Sequence, residues 1–137
     1  MAYLISYAAT ALVFLGLDFI WLTRISPAFY RSHIGELLMA QPNLIAAATF
    51  YLLYVAGIVF FAIAPALSTG SWTTALLSGA VLGLVAFGTY DMTNLATLKG
   101  WSVQVCIVDM LWGMAITATS ATAGYMVTVL SRSSWNA

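Results

Sequence analysis

Asp18, Asp91 and Asp109 each follow a run of residues that belongs in lipid rather than water: ALVFLGL before the first, LGLVAFGTY before the second and VQVCIV before the third. An ionised carboxylate near the middle of a spanning helix costs about 2.5–3.5 kcal/mol on insertion scales, so such groups face a bundle interior and mark functional sites. Three of them from separate segments can share one cavity, where like charges repel unless a counter-charge is present. Candidates for that counter-charge are Arg24, Arg31 and Lys99, a bound cation, or shared protons. The chemistry open to such a cluster is the binding or exchange of a cation, a proton or a small polar solute. In a second arrangement each carboxylate is tied off locally, Asp18 by Arg24 and Asp91 by Lys99 or Asn94, and the cluster only locks the fold.

Other polar residues fall at a similar depth. Tyr90 and Asn94 lie within a turn of Asp91. His33 and Glu36, in the link between the first two apolar stretches, would add a base and a fourth carboxylate if that link folds across the cavity mouth. Carboxylates with a single histidine are hard-ligand chemistry, better matched to magnesium, calcium or manganese than to zinc. No Glu-x-x-His pair, His-x-x-x-His pair or glycine-rich phosphate loop is present, so no catalytic residue and no cofactor is named by motif. The single Cys106 forms no internal disulfide and no thiolate cluster, and reads as a small buried hydrophobe.

The elements that must position these groups follow from composition. Of 137 residues, 63% are hydrophobic and 6% charged, far below the roughly 25% charge of soluble domains, which makes this a multi-pass membrane protein. Net charge is zero with the basic residues scattered, so nucleic acid is excluded as a partner and membrane lipid is the expected one. Four apolar stretches are long enough to cross ~30 Å of hydrocarbon. Helices are predicted at about 3–22, 43–64, 72–98 and 103–130, in one domain spanning 1–137. The first is expected to be a retained helix rather than a cleaved signal, since no Lys or Arg precedes it and Asp18-Phe19-Ile20-Trp21 stands where small residues would be needed. Pro65 to Ser71 reads as a short turn, and Lys99-Gly100-Trp101 as a helix end at the interface.

Between the first two helices, Ser26-Pro27 starts and Pro42 stops a short amphipathic helix over about 27–40, lying in the interface. Gly79-x-x-x-Gly83 and the stripe Ser102, Cys106, Asp109, Gly113, Thr117, Ser120 and Gly124 read as close helix packing. The predicted fold is thus all-α, an integral membrane four-helix bundle with one interfacial helix. Arg24, Arg31 and Lys99 on one face against Arg132 on the other place that first face in the cytoplasm, with both termini outside.

Several stretches carry a resemblance: Leu17 to Leu22, Phe29-Tyr30-Arg31 with His33, Tyr51 to Tyr54, Thr89 through Trp101, Val108-Asp109-Met110 and Trp112-Gly113. The chain resembles an uncharacterised family of small bacterial four-helix membrane proteins, domain of unknown function 2177. The resemblance implies a bacterial inner-membrane location and no established activity. Three functions remain open on the residues: a binding or transport protein, expected as a homodimer because four helices enclose little on their own; an enzyme acting on a lipid or fatty-acid-derived substrate; and a structural or assembly subunit.

Overall fold

In hydrocarbon the backbone has no partner but itself, so uninterrupted apolar runs fold as helices. The computed structural model describes residues 1–136. Its elements are α1 (Ala2–Ile20), a π-helical turn (Trp21–Ile25), α2 (Pro27–Ile34), a 3-10 turn (Gly35–Leu37), α3 (Leu44–Ile58), a second π-helical turn (Val59–Ile63), α4 (Ala64–Thr69), α5 (Trp72–Thr97) and α6 (Val103–Trp135). Four continuous helical stretches are long and apolar enough to span a bilayer: Ala2–Ile25, Leu44–Thr69, Trp72–Thr97 and Val103–Trp135. No strand occurs among the described residues, and the protein is an all-α membrane helical bundle.

Two π-helical turns reshape the spans. At Ser26 both the backbone N–H and the side-chain hydroxyl donate to the Trp21 carbonyl, each at 2.9 Å, which closes the wide turn and carries the first span beyond Leu22. In the second span the π turn at Val59–Ile63 directly precedes Pro65. Proline lacks an N–H, and its ring meets the carbonyl four residues back, so a tight α-helical turn there would break. The wider turn absorbs the conflict, and the segment predicted as a turn from Pro65 to Ser71 is helical up to Thr69. Only Gly70 and Ser71 connect it to α5. Gly70 takes the left-handed conformation (φ 68°), where a side chain would be strained, and ends the helix. The short interfacial helix also stops sooner than 40: Gly35 weakens it, the 3-10 turn ends at Leu37, and the backbone is already extended at Leu38. In α6 the hydroxyls of Ser131, Ser133 and Ser134 donate to carbonyls of the preceding turn, and the helix continues to Trp135.

Packing is closest where side chains vanish. A Cβ on Gly83 would run into the Gly113 carbonyl, one on Gly113 into the Phe87 ring, and one on Gly124 into the Thr10 hydroxyl. Gly83 lets α5 approach the α6 backbone at Gly113, while Gly113 and Gly124 make room for the Phe87 ring of α5 and the Thr10 side chain of α1. Phe14, Ile58, Ala62, Ile63, Ile116 and Ala121 fill the centre, each at 1% exposure or less. Leu12, Ile45, Phe60, Leu77, Val81 and Leu111 point outward, as the lipid-facing surface. One end of the α1–α6 seam is polar: Ser6 and Thr128 share a hydrogen bond of 2.7 Å, both fully buried.

Candidate functional site

The aspartates lie six or seven residues inside their spans: Asp18 before Ile25, Asp91 before Thr97 and Asp109 after Val103. At 1.5 Å per residue that is a depth of about 9–11 Å along each helix axis. All three line one cavity of about 570 Å³. The rest of its wall is aromatic and aliphatic: Trp21, Trp101 and Trp112, Tyr30, Tyr51, Tyr54 and Tyr90, with Phe50, Phe87 and aliphatic side chains. No lysine, arginine or histidine lines it among the described residues.

The three carboxyls are held very differently. Asp18 is 6% exposed and both of its oxygens are used: the Tyr51 hydroxyl donates to Oδ2 at 2.6 Å and the Trp112 indole N–H to Oδ1 at 3.2 Å. Asp109 accepts from the Tyr30 hydroxyl at 2.8 Å. Tyr30 in turn accepts from the Trp21 indole N–H at 3.2 Å, and the Trp21 ring stacks on Trp112 with centroids 4.5 Å apart. One aromatic frame therefore joins α1, α2 and α6 behind two of the acids. Asp91 is the exception: it is 0% exposed and neither carboxyl oxygen has a hydrogen-bond partner. Its nearest interacting acid is Asp109. The Cys106 thiol donates to the Asp91 backbone carbonyl at 3.3 Å, not to its side chain.

Burial, reinforced by the Asp109 charge, pushes the Tyr30 phenol above the usual tyrosine range. The folded protein then holds that proton more tightly than the unfolded chain, whose tyrosines release theirs near about pH 10. This contribution to stability is complete below about pH 10 and is lost as the pH rises further. Tyr30→Phe is expected to lower stability in detergent by about 1.5 kcal/mol, as for loss of a hydrogen bond to a charged group. It should also flatten the alkaline decline of the melting temperature between pH 9 and 11 (roughly the tyrosine range).

The basic and polar residues named from sequence fall outside the wall, apart from Tyr90, which lines it. Arg24, Arg31 and Lys99 are exposed and supply no counter-charge in the wall, and Asn94, half-buried, does not line it beside Asp91. Long cationic side chains near a span end extend towards water, where their charge is solvated. His33 and Glu36 form no lid either. His33 is exposed, its Nδ1 lies 2.9 Å from both the Ser32 hydroxyl and the Phe29 carbonyl, and its ring packs on Phe29. From that link Tyr30, Ile34 and Leu38 line the cavity instead. No group of three or more His, Cys, Asp or Glu side chains is disposed to hold a metal ion among the described residues. The residues missed by sequence are Trp21, Tyr30, Trp101 and Trp112; indoles close to span ends read as interfacial anchors, and only the close spacing of Trp112 and Asp109 hinted otherwise.

A family model described as "Predicted membrane protein (DUF2177)" matches residues 3–126. The chain belongs to that family. No curated protein matches the sequence, and no solved structure does.

Proposed function

We propose, for this member of a membrane family, that the cavity is a binding site for a small cationic solute. The observation that carries the reading is Asp91: a fully buried carboxyl without a hydrogen-bond donor, in a cavity with two further acids and no basic wall residue. A buried charge left in that state is costly. Its neutral alternatives are a proton or a bound cation, and the two compete for the same oxygens. Binding is therefore expected to weaken as the pH falls, because protonation removes the negative charge that attracts the solute.

The experiment is a binding titration on the detergent-solubilised chain, read by fluorescence of Trp21, Trp101 and Trp112 and by thermal stabilisation. Sodium, potassium, magnesium, calcium and a panel of organic ammonium ions serve as probes. Saturable binding of at least one cation at pH 7.5 that weakens as the pH is lowered supports the reading. No saturable cation binding anywhere in the panel overturns it. Arg24, Arg31 and Lys99 near the cavity face favour a cytoplasmic orientation of that face in a bacterial inner membrane, with both termini outside. A transport role would add a second copy of the chain, since four helices alone enclose a pocket and not a path.

A further inference from the structure

We propose that the occupant is an organic ammonium: a protonated primary or secondary amine on an aromatic or alicyclic body, with its nitrogen at Asp91 and Asp109 and its body against the indole and phenol walls. This deepens the cation-binding reading and rests on it.

Three features separate an amine from an inorganic ion. A hard cation held by the protein takes several side-chain oxygens at short range besides its waters, and no group of three or more His, Cys, Asp or Glu among the described residues is disposed to hold one. Tyr51 and Trp112 already occupy Asp18, and Tyr30 occupies one oxygen of Asp109. What remains unpartnered at the wall is the pair of oxygens on Asp91, which are fully covered in the empty protein, so the nitrogen reaches them only as neighbouring side chains turn aside. Those oxygens lack a donor and a counter-charge. An ammonium with N–H groups supplies both, a quaternary ammonium only the charge.

Size and wall chemistry point the same way. A cavity of about 570 Å³ is the volume of an organic ligand site, and a bare ion would leave most of it empty. Electron-rich rings attract a cation lying near their faces, and Trp21, Tyr30, Tyr51, Tyr54, Trp101 and Trp112 all line the cavity. The other ionisable groups around the nitrogen position are Asp109 and Cys106 of α6, Asp18 of α1, Tyr30 of α2, Tyr51 and Tyr54 of α3, and Tyr90 of α5 itself. None of these carries a positive charge that would repel an ammonium.

The test compares three matched probes on the full-length chain at pH 7.5, with potassium and magnesium alongside. They are 2-phenylethylamine, its N,N,N-trimethyl derivative and the uncharged 2-phenylethanol. The amine should bind saturably and about 10-fold or more tighter than either analogue, the difference made by one charge-assisted hydrogen bond. The preference should vanish in Asp91→Asn. Equal affinity for all three probes, or unchanged preference in that variant, means partition into the micelle and overturns the inference. Saturable binding of potassium or magnesium without the amine also overturns it, while leaving the cation site standing. If no cation binds, both readings fall.

Discussion

Asp91→Asn is expected to weaken saturable cation binding by about 30-fold or more, and to leave the melting temperature of the empty protein unchanged or higher. Removing one partner of a buried charge pair costs about 2–5 kcal/mol of binding free energy, which corresponds to about 30-fold at the least. Stability should move the other way because this carboxyl faces the like acid Asp109 and no N–H or tyrosine donor. Asparagine has the same shape and no charge to bury, so the uncompensated group is replaced by a milder one. Asp18→Asn makes the contrast. Its oxygens accept from Tyr51 and Trp112, and an amide presents a donor where one of those donors points. A loss of about 1–3 kcal/mol of stability is expected there. Thermal unfolding of both variants, paired with the binding titration, separates a ligand site from a structural lock. Were Asp91 a lock, its variant would be the destabilised one.

Gly83→Leu is expected to cost about 3 kcal/mol or more, at the upper end of what overpacking does. The first atom added would meet the Gly113 carbonyl carbon and oxygen, which are backbone and have no rotamer to yield. The strain relaxes only if α5 and α6 move apart. Those helices carry Asp91 and Asp109, so cation affinity should fall together with stability, although position 83 does not line the cavity. Equilibrium unfolding in mixed micelles of increasing denaturing detergent measures the first effect and the fluorescence titration the second. By comparison, a leucine at Gly16, where an added Cβ meets nothing within 4 Å, is expected to leave both nearly unchanged.

Much of the bundle was legible in the chain because lipid imposes one demand on the backbone. A segment either satisfies its own N–H and C=O groups over about 20 residues or stays out of the membrane. The four spans and the depth of the aspartates follow from that demand and from the rise of a helix. The π turns do not: Pro65 alone reads as a breaker, and only the neighbouring chain shows that a wider turn accommodates it.

The acids themselves belong to the sequence, since a carboxylate is foreign to apolar surroundings wherever the helix is rotated. Their partners belong to the tertiary structure. Arg24, Arg31, Lys99, His33 and Glu36 were the natural candidates by charge, yet flexible ionic side chains at a span end gain more from water than from a buried acid. Tyr30 of α2, Tyr51 of α3 and Trp112 of α6 took those places. Their rings tolerate lipid, and their O–H and N–H groups still donate. Which ring meets which oxygen depends on helix rotation and on glycine-to-backbone contacts such as Gly83 against Gly113, neither of which residue order encodes. Composition and helix rise thus determined a membrane bundle with acids at one depth; packing alone decided that two would be tied and Asp91 left free.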